Sequence, residues 1–243
     1  MAMEDEEQMS VSDPMEAQAA TLDPPGTIAV VGAGPLGIEA ALYGRYLGYN
    51  VTLFEAVAVA GSMADDRDAA IPMMPDRCAS PLAFGALAAQ QSDDHPKALP
   101  VTIGQWIDQI WLPLVESDLL RGRLRCPDRV TELNYAPDDV ETQETDDEDG
   151  PDDDVPPDFQ LTLSGGETDR FESVILATGA LSGDFAGEIR QPFSGPVDYL
   201  FQIGQKCTGD AETDFWTGLK EIVGVYASLG GREDLDLYNP LRP

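Results

Sequence analysis

The sequence predicts an α/β fold built on a central parallel sheet, and three observations lead there. Residues 28–31, IAVV, are apolar throughout, without the alternation that a strand exposed on one face would show. They break directly into Gly32-Ala33-Gly34-Pro35-Leu36-Gly37, and a helical pattern then carries the chain to a second apolar run at 51–54. A third, VILA at 174–177, lies far downstream. A strand, a helix and a strand in immediate succession form a parallel crossover unit, the building block of this fold class.

Each element has its own justification. Gly32 permits the tight turn that ends the first strand, Gly34 lets backbone N–H groups approach a pyrophosphate, and Gly37 lets the next helix pack on the strand. The predicted helix 35–48 starts with Pro35, tolerated in a first turn, and aims its positive end at the glycines. The second strand ends in Glu55, whose carboxylate can accept both hydroxyls of an adenosine ribose. Strand, glycines, helix, strand and acid in register point to a nucleotide site; a glycine-rich turn in an unrelated α/β unit is the alternative. Over 101–120, Ile103, Ile107, Ile110, Trp111, Leu114 and Val115 recur at helical spacing, with Pro113 expected to kink the stretch or divide it into two short helices. Trp106 and Trp111 there read as core before they read as a pocket lining. Residues 124–133 read as a short strand reaching the nucleotide edge of the sheet and carry Val130. A hairpin across Ser164, Gly165 and Gly166 runs on into 174–177 and Thr178-Gly179; 196–204 reads as a last strand, and 215–231 as an amphipathic helix stopped by Gly230 and Gly231.

The net charge of −31 is uneven. Residues 1–26 hold seven acids and 137–158 hold twelve, neither run with a Lys or Arg, which leaves −12 for the rest. Both runs lack apolar periodicity and are expected to be disordered, so the folded domain is expected over 27–243 with a disordered acidic insert. No spacing in them matches an ordered calcium loop, so no metal site is expected. So acidic a chain should repel nucleic acid and anionic lipid. There is no basic start followed by an apolar core, and no run long enough to span a bilayer. Cys78, Cys126 and Cys207 are few and far apart, which fits a reducing, cytoplasmic setting, and His95 is the only histidine.

With these residues in view, the chain resembles the FAD-binding half of the two-dinucleotide-binding-domain flavoproteins, the thioredoxin-reductase-like enzymes and flavin-containing monooxygenases. The resemblance covers 27–243 apart from the acidic insert. It implies a Rossmann-like FAD/NAD(P)-binding domain, with a central parallel sheet and a small β-hairpin or meander crossover. GAGPLG (Gly32, Gly34, Pro35, Leu36, Gly37) with Glu55 stands where the family holds the ADP half of FAD, and Gly61 matches the first glycine of its E-x5-G-G segment, with Ser62 in place of the second. VILATG is similar to the family's strand ending in Thr178-Gly179, which passes close to the cofactor, and Val130 belongs to the same implied set. The last strand and helix are similar to the pair that delivers a helix N-terminus to the flavin ring.

Two departures accompany the resemblance. The family closes its last strand with Gly-Asp, where this chain has Gly204-Gln205 and brings Gly209-Asp210 five residues late. Family members also insert a nicotinamide-nucleotide domain between the ATG strand and the last strand, whereas only residues 180–195 separate Gly179 from Pro196 here and no second GxGxxG occurs. The resemblance thus implies an FAD-dependent oxidoreductase whose flavin is reduced by a small-molecule substrate or a redox partner protein. A catalytically silent relative acting by binding, and an NAD-binding Rossmann protein, stand as the alternatives. Lys206, Cys207 and the two tryptophans are the side chains to examine beside a flavin.

Overall fold

The computed structural model describes residues 21–90, 98–137, 157–179, 189–193, 196–232 and 234–239. Residues 21–26 already lie against the body: Leu22 is buried, its N–H donates to the Leu229 carbonyl and its carbonyl accepts from the Tyr49 hydroxyl, both at 2.8 Å. Packed chain therefore includes residues 21–26, ahead of the boundary expected at 27, because one leucine of the acidic run finds an apolar seat. Residues 1–20 and 138–156, on which the expectation of disorder falls, are outside the described residues, as is His95.

Strand β1 (Thr27–Val31) leads through the glycine turn into helix α1 (Pro35–Leu47), which Gly48 ends in the left-handed conformation at φ +96°. Strand β2 (Asn50–Phe54) follows, then short 3-10 turns at Gly61–Asp66 and Pro75–Arg77 and helix α2 (Pro81–Ala89), capped by Ser80. Helix α3 (Ile103–Trp106), a π turn (Ile107–Trp111) and α4 (Leu112–Val115) run on as one stretch. Its irregularity falls ahead of Pro113. The Leu112 N–H reaches back to the Ile107 carbonyl, so the register has already slipped when the residue without an N–H arrives.

Strands β3 (Leu124–Arg125) and β4 (Val130–Tyr135) divide the single strand expected over 124–133, with Pro127 in the gap where a ladder would need its N–H. Strands β5 (Phe159–Leu163) and β6 (Thr168–Phe171) form the hairpin, and β7 (Ser173–Leu176) then leaves it for the other sheet. Strand β8 (Leu200–Gln202) is much shorter than 196–204, because left-handed backbone at Tyr199 (φ +62°) and Gly204 (φ +71°) turns the chain on both sides of it. Helix α5 (Ala211–Gly230) starts four residues before 215, because the Asp210 carboxylate accepts from the N–H groups of Glu212 and Thr213 at 3.0 and 3.1 Å.

The parallel sheet has the order β3-β2-β1-β7-β8. β1 lies at its centre, Val31 facing Phe54 on one side and Leu176 on the other. A second, antiparallel sheet has the order β4-β5-β6. The chain is thus α/β with a parallel core and a small meander, as the pattern of runs predicts. Ile28 and Val30 of β1 pack among the helices, while Ala29 and Val31 pack against the meander. Both faces of β1 are covered, which is why 28–31 shows no polar alternation. On the helical side Gly44 of α1 faces Tyr226 of α5, whose hydroxyl donates to the Ala40 carbonyl at 2.8 Å. A side chain at 44 would stand 2.3 Å from that hydroxyl.

Candidate functional site

The C-terminal ends of β1, β2 and β7 and the start of β4 meet around a cavity of about 290 Å³. The glycine turn forms one wall, and its three glycines serve different purposes. Gly32 has φ +107°, and a Cβ there would stand 2.8 Å from the Ala177 carbonyl oxygen. A Cβ on Gly37 would stand 1.8 Å from the Gly32 carbonyl oxygen, so only glycine lets α1 leave the strand at this angle. At Gly34 nothing of the protein lies within 4 Å of where a Cβ would be, and φ is an ordinary −76°. The fold itself therefore makes no demand for glycine at position 34, which borders the cavity.

Gly34 is also the N-cap of α1. No side chain caps that helix, Pro35 brings no N–H, and the first turn carries no acid. Helices α2 and α5, by contrast, are capped by Ser80 and Asp210. An uncapped helix start concentrates unsatisfied N–H groups and the positive end of the helix dipole, which is an anion-binding arrangement. Beside it, one carboxylate oxygen of Glu55 accepts from the Ala33 N–H at 2.8 Å and the other from the Val57 N–H at 2.9 Å. Each oxygen keeps a second lone pair for a ligand hydroxyl.

The opposite wall comes from the chain just after β3. Asp128 donates its N–H to the Glu55 carbonyl at 2.8 Å, which draws 128–130 alongside the end of β2. Arg125 fixes this loop from behind: it bonds Asp128 at 2.8 Å and Glu167 at 3.1 Å, pairs with Asp169, and lies over the Phe54 ring. Ile189 closes the apolar end, held there because Arg190 exchanges backbone hydrogen bonds with Thr131 and Leu133. Cys126 sits at this rim, its Sγ 3.5 Å from the Val57 carbonyl. Burial, with Glu55 and Asp128 close by, pushes its thiol pKa up, away from nucleophilic use.

Among the residues singled out in the sequence, Gly32, Gly34, Glu55, Gly61, Ser62, Val130 and Thr178 line the cavity. Pro35, Leu36, Gly37, Gly179, Gly204 and Gln205 are not among its lining residues. Leu36 instead packs against Gly204 and Gly218, where added Cβ atoms would stand 2.9 and 2.4 Å from it. The Gly204 N–H donates to Glu221 at 2.8 Å, and Gln205 is exposed. Lys206 is an exposed surface residue 3.6 Å from Glu221, Cys207 is exposed, and Trp106 and Trp111 are core side chains. The first turn of α5, expected to face a ring system, is engaged from within. Asp210 caps it, Glu212 pairs with Arg77 and accepts from the Met74 N–H at 3.0 Å each, and Asp214 bonds Thr208. Asp128, Arg129 and Ile189 join the cavity without having been singled out. The adjacent charges after Pro127 were a signal for the first two; Ile189 follows a segment with no periodicity and gave none.

No protein-family profile and no curated protein matches the chain. Solved structures resemble part of it. The OTEMO complex with FAD and NADP is 19% identical with a TM-score of 0.45, over 65% of this chain and 26% of that one. An oxidized steroid monooxygenase bound to NADP is 19% identical with a TM-score of 0.46, over 64% and 26%. A ferredoxin-flavin thioredoxin reductase from Clostridium acetobutylicum is 16% identical with a TM-score of 0.38, over 63% and 37%. The chain spans between about a quarter and two fifths of the length of these proteins. Among the described residues no helix is long and apolar enough to cross a membrane, and no three His, Cys, Asp or Glu side chains converge as metal ligands would.

Proposed function

We propose that this chain binds an adenine dinucleotide, FAD, by its ADP half in the cavity at the head of β1, and that it serves flavin-dependent oxidoreduction. One observation carries the reading: the uncapped start of α1 opens at Gly34 onto the cavity, with the space of a missing side chain left free beside Glu55. On this reading the pyrophosphate sits on the α1 N-terminus, Glu55 takes the ribose hydroxyls, and the base lies toward Val130 and Ile189. The isoalloxazine would supply hydride chemistry when bound. The chain's own contribution is to orient the ADP moiety and exclude water from it.

The electron source is proposed to be a small-molecule substrate or a redox partner protein, because only residues 180–195 link the end of β7 region to Pro196. Its acidity argues against nucleic acid and anionic membranes as partners, and its sparse cysteines favour the cytoplasm. A second reading, a nucleotide-binding relative without turnover, draws on the first turn of α5, where Asp210, Glu212 and Asp214 already hold the positive helix end. NAD is the competing ligand, since Glu55 suits either ribose and disfavours a 2′-phosphate.

The test is calorimetric titration of the purified protein with FAD, ADP and NAD, alongside its absorbance spectrum. FAD should bind, with ADP competing for the same site. Binding of NAD with exclusion of FAD would transfer the site to the alternative ligand, and binding of none of the three would end the reading.

A further inference from the structure

We infer that Glu55 acts on the phosphate half of the ligand as well as on its ribose, as a positioning residue that holds the glycine turn in its binding shape before any nucleotide arrives. This rests on the nucleotide reading given above. The geometry centres on one residue, Ala33, whose N–H donates to Glu55 at 2.8 Å and whose carbonyl accepts from the Ala60 N–H at 2.9 Å. Ala60 is buried and left-handed (φ +53°), a conformation that an alanine rarely adopts and that the surroundings must impose. The other Glu55 oxygen holds the Val57 N–H, which fixes the start of the same 56–61 segment. Gly32 is tied in turn, its N–H donating to the Phe54 carbonyl at 2.8 Å. The glycine turn and the turn after β2 are thus laced into one rigid piece with the Glu55 carboxylate at its centre. Gly34 and the start of α1, where the phosphates would sit, hang directly from it.

The inference has a sign that separates it from simple electrostatics. A carboxylate beside a pyrophosphate repels it, so on charge alone Glu55→Gln should tighten binding of any phosphate. On the clamp reading the same substitution weakens it. An amide has one acceptor oxygen and sets an N–H₂ group against one of the two backbone N–H donors, so the turn loosens. Weakening the hold on the Ala33 N–H, the less exposed of the two donors, corresponds to about a tenfold loss of affinity.

The experiment measures ADP, 2′,3′-dideoxy-ADP and 2′,3′-dideoxyadenosine binding to wild type and Glu55→Gln. Dideoxy-ADP has phosphates but no hydroxyls for Glu55 to hold, and dideoxyadenosine has neither. The clamp predicts about a tenfold loss for dideoxy-ADP, a larger loss for ADP and little change for dideoxyadenosine. Unchanged or tighter dideoxy-ADP binding would overturn it, as would an equal loss for dideoxyadenosine, which signals collapse of the whole site. If wild type itself binds no ADP, the nucleotide reading fails instead. Should Glu55→Gln not fold, amide hydrogen exchange on the unmodified, nucleotide-free protein decides. The Ala33 N–H must be protected well beyond an ordinary loop amide, and exchange at the open-loop rate would refute the clamp.

Discussion

Substituting Gly34 and Gly37 separately should uncouple binding from folding. A methyl group at 37 would stand 1.8 Å from the Gly32 carbonyl oxygen and 3.3 Å from the Ala177 Cβ, so α1 has to lift from the sheet to admit it. The neighbours are backbone and a core side chain, with no flexible end to swing aside. Overpacking of this kind costs about 3 kcal/mol or more, a large share of a domain's typical stability of roughly 5–15 kcal/mol. At 34 the same methyl group meets nothing within 4 Å. The poorer capping propensity of alanine there costs roughly 0.5–1 kcal/mol, offset by the ~0.4–1 kcal/mol gained from a stiffer unfolded chain. Gly34→Ala and Gly34→Val should therefore unfold within about 1 kcal/mol of wild type in urea, whereas Gly37→Ala should lose several. Titration with ADP and FAD supplies the other half of the assay. Gly34→Val, which fills the space a phosphate needs, should lose at least about a hundredfold in affinity, on the order of 3 kcal/mol. A Gly34→Val protein that folds normally and binds ADP within about threefold of wild type would refute the assignment of this turn to phosphate, however well Gly37 behaved.

Two further outcomes are expected. Glu39 of α1 is wholly buried against Ser80, whose N–H and hydroxyl it accepts at 2.9 and 2.7 Å, and burial raises its pKa from the usual 4.5 to about 7. The folded state therefore holds this proton more tightly than the unfolded one. The stabilisation is complete below pH 4.5 and lost as pH rises through about 7, a difference on the order of 3 kcal/mol. Glu39→Gln, which stays neutral, should match wild type near pH 5 and exceed it at pH 8 in urea unfolding; a variant equally destabilised at both would contradict this. Second, NADPH or NADH at millimolar levels should reduce protein-bound FAD no faster than free FAD. Near-attack geometry has to be built from remote contacts to the nicotinamide nucleotide, and the sixteen residues from 180 to 195 are few for such a module. Rapid, saturable bleaching in anaerobic stopped-flow would reveal a nicotinamide site in this chain.

What the sequence showed and what it hid follow the range of the interactions. The unit from Ile28 to Glu55 was legible because strand, turn, helix and strand are fixed by near neighbours. Gly32 and Gly37 are dictated by contacts within it and with Ala177, and the apolar strands by cover on both faces. The division of 124–133 between two sheets was not legible. It depends on Leu53 accepting β3 as a neighbour and on Leu161 and Leu163 drawing β4 the other way, and no periodicity within ten residues encodes that choice. The start of α5 lies outside the apolar pattern that predicts a helix from 215, because a polar residue, Asp210, sets its boundary.

The same division runs through the cavity. One side of it is lined by Gly32, Gly34, Glu55, Ala56, Val57, Gly61 and Ser62, supplied by one crossover unit and the turn after it. Its far side is assembled from 128–130 and Ile189, brought in by a backbone bond from Asp128 to Glu55, by the Arg125 ion pairs and by a single bridge between Arg190 and β4. A glycine turn tied to Glu55 and Ala60 keeps its shape whatever closes the other wall. The far wall, by contrast, rests on loop contacts and on partly exposed ion pairs, which are weak and salt-sensitive. On the proposed reading, the half built from local contacts addresses the part that FAD, NAD and ADP have in common. On the same reading, the discrimination among them falls to the half that depends on the least local contacts in the fold.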